Sequence, residues 1–107
     1  MTSPIPHVAA VVVTYNSEAH IDDLLRSIPD AMGSIPYSVV VVDNGSQDGT
    51  AGLLAERSDC TLIRSRNDGY AAGINRAVAA SPPSQAILIL NPDATLDPDS
   101  VPRMLSV

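Results

Sequence analysis

The sequence predicts an α/β domain built on an open, mostly parallel sheet with helices on both faces. Three runs of almost purely aliphatic residues, 8–14, 39–42 and 86–90, are short and bounded by turn-forming residues, which is typical of strands buried on both faces. Segments with helical apolar spacing separate these runs. Each run ends in small polar residues, and ligands of parallel α/β sheets bind beyond the carboxyl ends of the strands.

The first half of the chain predicts two strands, each followed by a helix. The first strand is Val8–Thr14 and the second is Ser38–Asp43. Apolar residues at positions 21, 24, 25 and 28 define one face of the first helix, and the second helix is predicted over Thr50–Arg57. Small polar residues are expected to cap these helices. The predicted caps are Asn16 or Ser17 for the first helix and Ser46 or Asp48 for the second.

A loose entry segment, Met1–His7, is predicted before the first strand. The second half of the chain repeats the alternation of strand and helix. We predict a short strand over Thr61–Arg64 and a helix over Tyr70–Ala80 with Ile74, Ala77 and Val78 on its apolar side. A further strand, Ala86–Leu90, is predicted to be buried on both faces, and a last helix contains Val101, Met104 and Leu105. Because the sequence ends just inside this helix, we expect the first part of a larger domain, with an open sheet edge beside Ala86–Leu90.

Composition excludes several classes of function. The formal net charge is -6, whereas sequence-independent nucleic-acid binding requires a basic surface. The six basic residues are all arginines, so a mechanism that needs a lysine is excluded. The single cysteine, Cys60, cannot form an internal disulfide, which fits a reducing compartment. We therefore predict a protein that binds no nucleic acid and has no transmembrane segment in this chain.

Three carboxylates follow predicted strands and suggest a metal site. Asp43, Asp48 and Asp93 are expected at one edge of the sheet, and converging carboxylates repel unless a proton or a metal lies among them. Magnesium and manganese prefer such oxygen ligands. The alternative is that aspartates after strands form turns and helix caps. For Asp48, and for Asp97 further along the chain, this role is expected at least as much as metal binding.

Other nucleotide-binding and phosphoacceptor folds do not fit the motifs. The first strand is followed by TYNSEA rather than G-x-G-x-x-G, and a Walker A loop is absent. A receiver domain needs paired acids after its first strand and a late lysine, and this chain has neither. The loop Arg66–Tyr70 precedes a predicted helix, whose N-terminus favours anions, and Arg66 can contact phosphate there.

Four stretches taken together resemble the family 2 glycosyltransferases, whose nucleotide-sugar-binding domain has the GT-A fold. They are VVVTYNSEAHIDDLLRSI, VVVVDNGSQDGT, NDGYAAGINRAVAAS and ILILNPDATLDP, and they cover nearly the whole chain in the family's order. The resemblance implies that residues 1–107 are the nucleotide-diphospho-sugar-binding, N-terminal part of such a domain, a Rossmann-like half.

The resemblance also implies which residues bind the donor. The first-strand loop would surround the nucleotide base, Asp43 would contact base and ribose, and the loop and helix from Asn67 onward would lie beside the diphosphate. The last acid of the N-P-D stretch, Asp93, is implied as the ligand of a divalent metal, Mg²⁺ or Mn²⁺, that holds the diphosphate. The implied donor-binding residues are Thr14, Tyr15, Asn16, Glu18, Asp43, Ser46, Asp48, Asn67, Gly69, Gly73, Asn75 and Asn91.

Two features set this chain apart within the resemblance. Asn91 replaces the first acid of the family's D-x-D motif, and this N-P-D form occurs in a subgroup resembling rhamnosyl- and galactofuranosyltransferases. No residue of the chain matches the family's catalytic base, which lies in the half beyond Val107. We therefore expect the 107 residues alone to be inactive.

The resulting prediction is a metal-dependent, inverting glycosyltransferase in cell-wall or polysaccharide biosynthesis. This chain would supply donor and metal binding, and the acceptor would be a glycan or a lipid-linked molecule. The expected location is the cytoplasm or the periphery of the inner membrane. The alternatives are a non-catalytic nucleotide- or sugar-binding module and, as a weaker third, a nucleotidyltransferase-like enzyme.

Overall fold

A computed structural model describes residues 7–106, so the predicted entry segment lies outside the described residues apart from His7. Within this range, strands and helices alternate in the predicted order. The observed bounds of the three aliphatic strands and of the third helix agree with the predicted bounds to within one residue. The elements are β1 (Val8–Thr14), α1 (Ile21–Met32), β2 (Tyr37–Asp43), α2 (Thr50–Ala55), β3 (Thr61–Arg64), α3 (Tyr70–Ala80), β4 (Ala86–Leu90) and α4 (Ser100–Leu105).

The four strands form one sheet in the order β3-β2-β1-β4, and every neighbouring pair is parallel. In this register Thr14 lies opposite Asp43, and Val12 lies opposite Leu90. The carboxyl ends of β1, β2 and β4 therefore meet at one edge of the sheet. The predicted fold class, an open parallel sheet with flanking helices, is confirmed.

The core has one layer on each face of the sheet. On one face, α1 and α4 pack over Val8, Ala10 and Val12 of β1, and the predicted apolar face of α1 is buried there. On the other face, α3 packs over β1 and β2 through Ala77 and the partly buried Ile74. Fully burying a Val, Leu or Ile side chain contributes about 1.5–3 kcal/mol, so both layers stabilise the sheet.

The prediction that β4 is buried on both faces is wrong. Ile87 and Ile89 are 43% and 51% exposed, while Leu90 is buried. The reason is that α3 packs over β1 and β2 but leaves the same face of β4 uncovered. Val78 of α3 is also exposed, so only part of the predicted apolar side of that helix is buried.

Two predictions about helix ends are also wrong. No side chain caps α1, which begins at Ile21 after a turn in which the carbonyl of Ser17 accepts hydrogen bonds from the amides of His20 and Ile21. The helix α2 begins at Thr50, whose amide donates to Asp48 Oδ1 at 3.0 Å, so the predicted contact of Asp48 with the start of this helix is present. The helix ends at Ala55 rather than at residue 57. Both capping candidates of α1 are engaged elsewhere: Asn16 Oδ1 accepts from the amide of Gln47 in the neighbouring loop, and the Ser17 hydroxyl donates to the carbonyl of Tyr15.

Two helical glycines provide a matched test of how tightly α3 packs on the sheet. A Cβ at Gly73 would lie 2.9 Å from a methyl group of Val13, whereas a Cβ at Gly52 of α2 would have nothing within 4 Å. We expect Gly73→Ala to lower the free energy of unfolding by about 1–3 kcal/mol, because the backbone of α3 must move away from the sheet. Gly52→Ala should raise it by about 0.5–1 kcal/mol, since alanine is the better helix former.

Urea denaturation of the two variants checks this prediction. Equal effects of the two substitutions would contradict it, because the intrinsic helix propensity would then outweigh the contact with Val13.

Candidate functional site

A pocket of about 300 Å³ lies at the edge of the sheet where the strands end. Its walls come from the ends of β1 and β2, the loop before α3 and the turn after β4. This is the position in which parallel α/β sheets bind ligands. The lining residues are Val13, Tyr15, Ser17, Asn44, Asn67, Tyr70 and Pro92.

The carboxylate of Asp43 does not line this pocket; it braces the loop that follows β2. Its side chain is 1% exposed. Oδ1 accepts hydrogen bonds from the hydroxyls of Thr14 at 2.7 Å and Ser46 at 2.6 Å, and Oδ2 accepts one from the amide of Ser46 at 3.0 Å. Hydrogen bonds to an ionised acceptor are about twice as strong as neutral ones, so Asp43 holds together the ends of two strands and a loop.

The loop after β1 (residues 15–20, the first loop) and the loop after β2 (residues 44–49, the second loop) are hydrogen-bonded to each other. The amide of Asn16 donates to Ser46 Oγ at 2.8 Å, and the amide of Gln47 donates to Asn16 Oδ1 at 2.8 Å. Asn16 has φ of +51°, a conformation that Asn tolerates better than most residues. The side chain of Asn16 therefore fixes the shape of the second loop.

A second set of contacts joins the same loops nearer to α2. The amide of Glu18 donates to Asp48 Oδ2 at 3.3 Å, and the amide of Gly49 donates to Glu18 Oε2 at 3.1 Å. A Cβ at Gly49 would lie 2.3 Å from Glu18 Oε1, so the Glu18 carboxylate occupies the space that any other residue at position 49 would need. The hydrogen bond from the Thr50 hydroxyl lowers the pKa of Asp48, which keeps this acceptor charged at neutral pH.

The start of α3 is tied to the end of β2 by Asn44. Its side chain is 3% exposed, and Nδ2 donates to the carbonyl of Gly69 at 3.2 Å. Gly69 has φ of +97°, which favours glycine, and its amide donates to Asn67 Oδ1 at 3.1 Å. The Oδ1 atom of Asn44 is buried and has no hydrogen-bond partner among residues 7–106.

Asp43, Asp48 and Asp93 lie at the strand-end edge of the sheet as predicted, but they do not form a common metal site. Within residues 7–106 no group of three or more His, Cys, Asp or Glu residues is arranged to hold a metal ion. The side chain of Asp43 is turned inward, and Asp48 is engaged by the neighbouring loop and Thr50. Asp93 is exposed and follows Pro92 of the pocket wall. A single free carboxylate fits a magnesium-type site, in which one or two protein carboxylates act together with substrate phosphates.

Comparison with known proteins decides the family. The family model described as Glycosyl transferase family 2 matches residues 9–107. The chain belongs to this family. It is 36% identical over 112 residues to an undecaprenyl-phosphate 4-deoxy-4-formamido-L-arabinose transferase of Pseudomonas paraeruginosa, and 32% identical over 111 residues to one of Pseudomonas fluorescens. The match to the first covers 95% of this chain and 32% of that transferase, and the match to the second covers 96% and 32%.

Solved structures agree with this assignment. The chain of TarS from S. aureus superposes with a TM-score of 0.74 at 26% identity, and the match covers 92% of this chain and 31% of TarS. A TarS structure in complex with UDP superposes with a TM-score of 0.69 at 25% identity, with the same coverage. This chain thus spans about one third of the length of these relatives.

The implied donor-binding residues of this family 2 chain fall into three groups in the structure. Tyr15 and Asn67 line the pocket. A second group makes the hydrogen bonds that hold the loops and α3 in place, and Gly73 packs against Val13. Asn75 and Asn91 are exposed and lie outside the pocket lining. The loop-holding residues are Thr14, Asn16, Glu18, Asp43, Ser46, Asp48 and Gly69.

Sequence reasoning named two of the seven pocket residues, Tyr15 and Asn67, as binding residues and missed Val13, Ser17, Asn44, Tyr70 and Pro92. Asn44 directly follows Asp43, and its place as the second polar residue beyond a buried strand was the available signal. Tyr70 is the first residue of α3 and 52% exposed, and an exposed aromatic residue beside a glycine-containing loop was its signal. Neither pattern shows by itself that the side chain reaches the pocket.

Two further groups outside the pocket, Arg57 and Cys60, are not candidates for catalysis. Arg57 forms ion pairs with Asp22 and Asp59, which link α1 to the segment before β3. Burial, followed by the nearby Asp59 charge, raises the pKa of the Cys60 thiol. A thiol with a raised pKa is a poor nucleophile at neutral pH, so Cys60 is not a candidate nucleophile.

Proposed function

We propose that this chain binds the nucleotide-diphospho-sugar donor of an inverting, metal-dependent glycosyltransferase. The observation that carries the proposal is the pocket at the strand ends, lined by Tyr15, Asn44 and Tyr70, in a chain of glycosyl transferase family 2. A related family structure was solved in complex with UDP, which supports a nucleotide as the ligand.

In this proposal the two joined loops form a rigid wall on the base side of the pocket. Tyr15 lies on the first loop, is 49% exposed and offers a ring face to the base, since aromatic rings stack on any nucleobase. The amide of Asn16 in that loop donates to Ser46 Oγ, which itself donates to Asp43 Oδ1, so the first loop is tied to the braced second loop. The N-terminus of α3 lies on the other side, and the positive end of a helix favours the diphosphate.

The net charge of -6 opposes binding of a diphosphate unless a cation is present. Asp93 is the residue that would hold a divalent cation at the pocket wall. When bound, such a metal acts as a Lewis acid that stabilises the charge of the departing nucleoside diphosphate. The acceptor hydroxyl would attack the anomeric carbon with inversion, with help from a general base outside residues 1–107.

The proposed acceptor is a lipid-linked molecule or a glycan, as the relatives' description as undecaprenyl-phosphate transferases suggests. Within residues 7–106 no helix is long and apolar enough to cross a membrane. We propose a cytoplasmic protein that works at the periphery of the inner membrane. The N-P-D stretch supports a rhamnosyl-like donor, whereas these relatives transfer a formamido-arabinose, so a donor screen should include both uridine and thymidine diphospho-sugars.

A non-catalytic nucleotide-binding module is the second candidate. It would use the same pocket, and Asp43 and Asp48, which are engaged in hydrogen bonds, serve as a base in neither candidate. Assays of the full-length protein distinguish the two: a transferase releases nucleoside diphosphate in the presence of an acceptor, and a binding module does not.

Removing the Asp93 carboxylate should abolish the manganese dependence of nucleotide binding. Calorimetry with UDP, with manganese and with chelator, measures this directly. Wild-type protein should bind UDP more tightly with manganese, and Asp93→Ala should bind equally weakly in both conditions. Asp97→Ala is the matched control, because Asp97 is also exposed and lies four residues further along; it should behave like wild type.

Equal affinity of wild type and Asp93→Ala in manganese would contradict the metal proposal. A thermal-shift screen offers an independent readout, because a ligand that binds only the folded state raises the melting temperature. If no nucleotide or nucleotide-sugar raises it, the proposed function itself is wrong.

A further inference from the structure

The aromatic residues of this chain are distributed unusually. The chain has three tyrosines and no Phe or Trp. Tyr37 packs against the core, whereas Tyr15 and Tyr70 are 49% and 52% exposed and both line the pocket. An exposed aromatic ring contributes little to folding, because its apolar surface stays in water. Two such rings around one pocket indicate a ligand that covers them.

The position of Tyr70 is determined by its neighbours in the loop before α3. Tyr70 directly follows Gly69, whose carbonyl accepts from Asn44 Nδ2 and whose amide donates to Asn67 Oδ1. One turn further on, Gly73 allows α3 to lie against Val13 and the Asn44 amide. The first residue of α3 is thereby held at a set distance from the end of β2.

Asn44 carries a second sign of a ligand. Its side chain is 3% exposed and lines the pocket, and its Oδ1 has no partner in the described part of the chain. A buried acceptor without a partner costs free energy unless a water or a ligand satisfies it. The amide cannot turn round to relieve this, because Nδ2 is needed at Gly69.

We propose that the pocket holds the nucleobase between two aromatic walls, Tyr15 on the first loop and Tyr70 at the start of α3. Asn44 is a positioning residue that holds Tyr70 through Gly69. This inference rests on the proposed function and deepens it, because it assigns a second contact to the base. The pocket volume of about 300 Å³ is at the lower end of ligand sites and suits a base rather than a whole nucleotide-sugar.

Stacking on an aromatic ring does not depend on the identity of the base. Tyr70 therefore supplies affinity for a planar ring and does not select among bases. Its hydroxyl is not needed, so phenylalanine should replace tyrosine at this position, whereas alanine should not.

The test is calorimetry of wild type, Tyr70→Ala and Tyr70→Phe with uridine, UDP and inorganic diphosphate. We expect Tyr70→Ala to weaken uridine and UDP binding roughly tenfold, the usual effect of removing a stacked ring, and to leave diphosphate binding unchanged. Tyr70→Phe should restore the affinity for uridine. The control is Met104→Ala, which removes a side chain of similar exposure, 51% against 52% for Tyr70, on α4 outside the pocket lining. It should bind like wild type.

The positioning role of Asn44 is tested by a double-mutant cycle. Asn44→Asp replaces the amide donor by a carboxylate that cannot donate to the Gly69 carbonyl. If Asn44 acts through Tyr70, the combined variant should bind uridine about as weakly as Tyr70→Ala alone, since the two effects then share one cause. Additive losses would overturn this part of the proposal.

The results separate this inference from the proposed function. Wild type that binds neither uridine nor UDP would overturn both. If wild type and Tyr70→Ala bind uridine equally well, only the proposed contact of Tyr70 with the base is overturned. Equal losses in Tyr70→Phe and Tyr70→Ala would show that the hydroxyl, not the ring, makes the contact, and this also overturns the stacking proposal.

Discussion

Replacing Asp43 by alanine should lower the free energy of unfolding by about 3 kcal/mol. The substitution removes the acceptor of three hydrogen bonds, from the Thr14 hydroxyl, the Ser46 hydroxyl and the Ser46 amide. At 1% exposure, water cannot replace these bonds without opening the end of β2. The second loop should loosen as a result, and nucleotide binding should weaken with it.

Chemical denaturation of Asp43→Ala measures this loss. Thr14→Val and Ser46→Ala each remove one of the donors and should give smaller losses. Asp97→Ala is the control for removal of an acidic side chain, because Asp97 is exposed and its carboxylate makes no hydrogen bond in the described range; it should leave the stability unchanged. A denaturation midpoint for Asp43→Ala equal to that of wild type would mean that the brace contributes nothing.

The second large effect is expected at the open edge of the sheet. Within residues 7–106 β4 is paired only with β1, and its exposed face carries Ile87 and Ile89. An unpaired, flat and apolar edge strand is a template for pairing with another chain. We therefore expect the purified 107-residue chain to self-associate in a concentration-dependent way, and Ile89→Lys to keep it monomeric, because an edge lysine opposes such pairing.

Analytical ultracentrifugation across a range of concentrations measures this association. Met104→Lys is the matched control, because Met104 and Ile89 are both 51% exposed while Met104 lies on α4, away from the sheet edge. It should associate like wild type. A wild-type chain that stays monomeric, or a control that dissociates as readily as Ile89→Lys, would contradict the edge as the site of association.

The positions of the strands were predictable because the signal is local. Runs such as Val8–Thr14 and Ala86–Leu90 have aliphatic side chains bounded by polar turn residues, and such patterns need no tertiary information. The same holds for the buried face of α1, where the spacing of Ile21, Leu24, Leu25 and Ile28 follows the helical period. Family membership was also readable, because its motifs are contiguous stretches of the chain.

The environment of a strand was not predictable in this way. The open edge beside Ala86–Leu90 is confirmed, because β4 is the last strand of the sheet. Burial of β4 on both faces is wrong, because one of its faces is exposed. Which face of a strand is covered depends on where α3 packs, and that is not encoded in the local pattern.

By itself the sequence determined the order of strands and helices, the parallel α/β class and the edge of the sheet at which the polar residues collect. Only the tertiary structure decided what those polar residues do. Asp43 turns inward to Thr14, which is 29 positions away in the chain, and Asn44 reaches Gly69, 25 positions away. A carboxylate or an amide after a strand can bind a ligand, cap a helix or brace a loop with the same local sequence. The choice depends on which partner the fold brings within hydrogen-bonding distance.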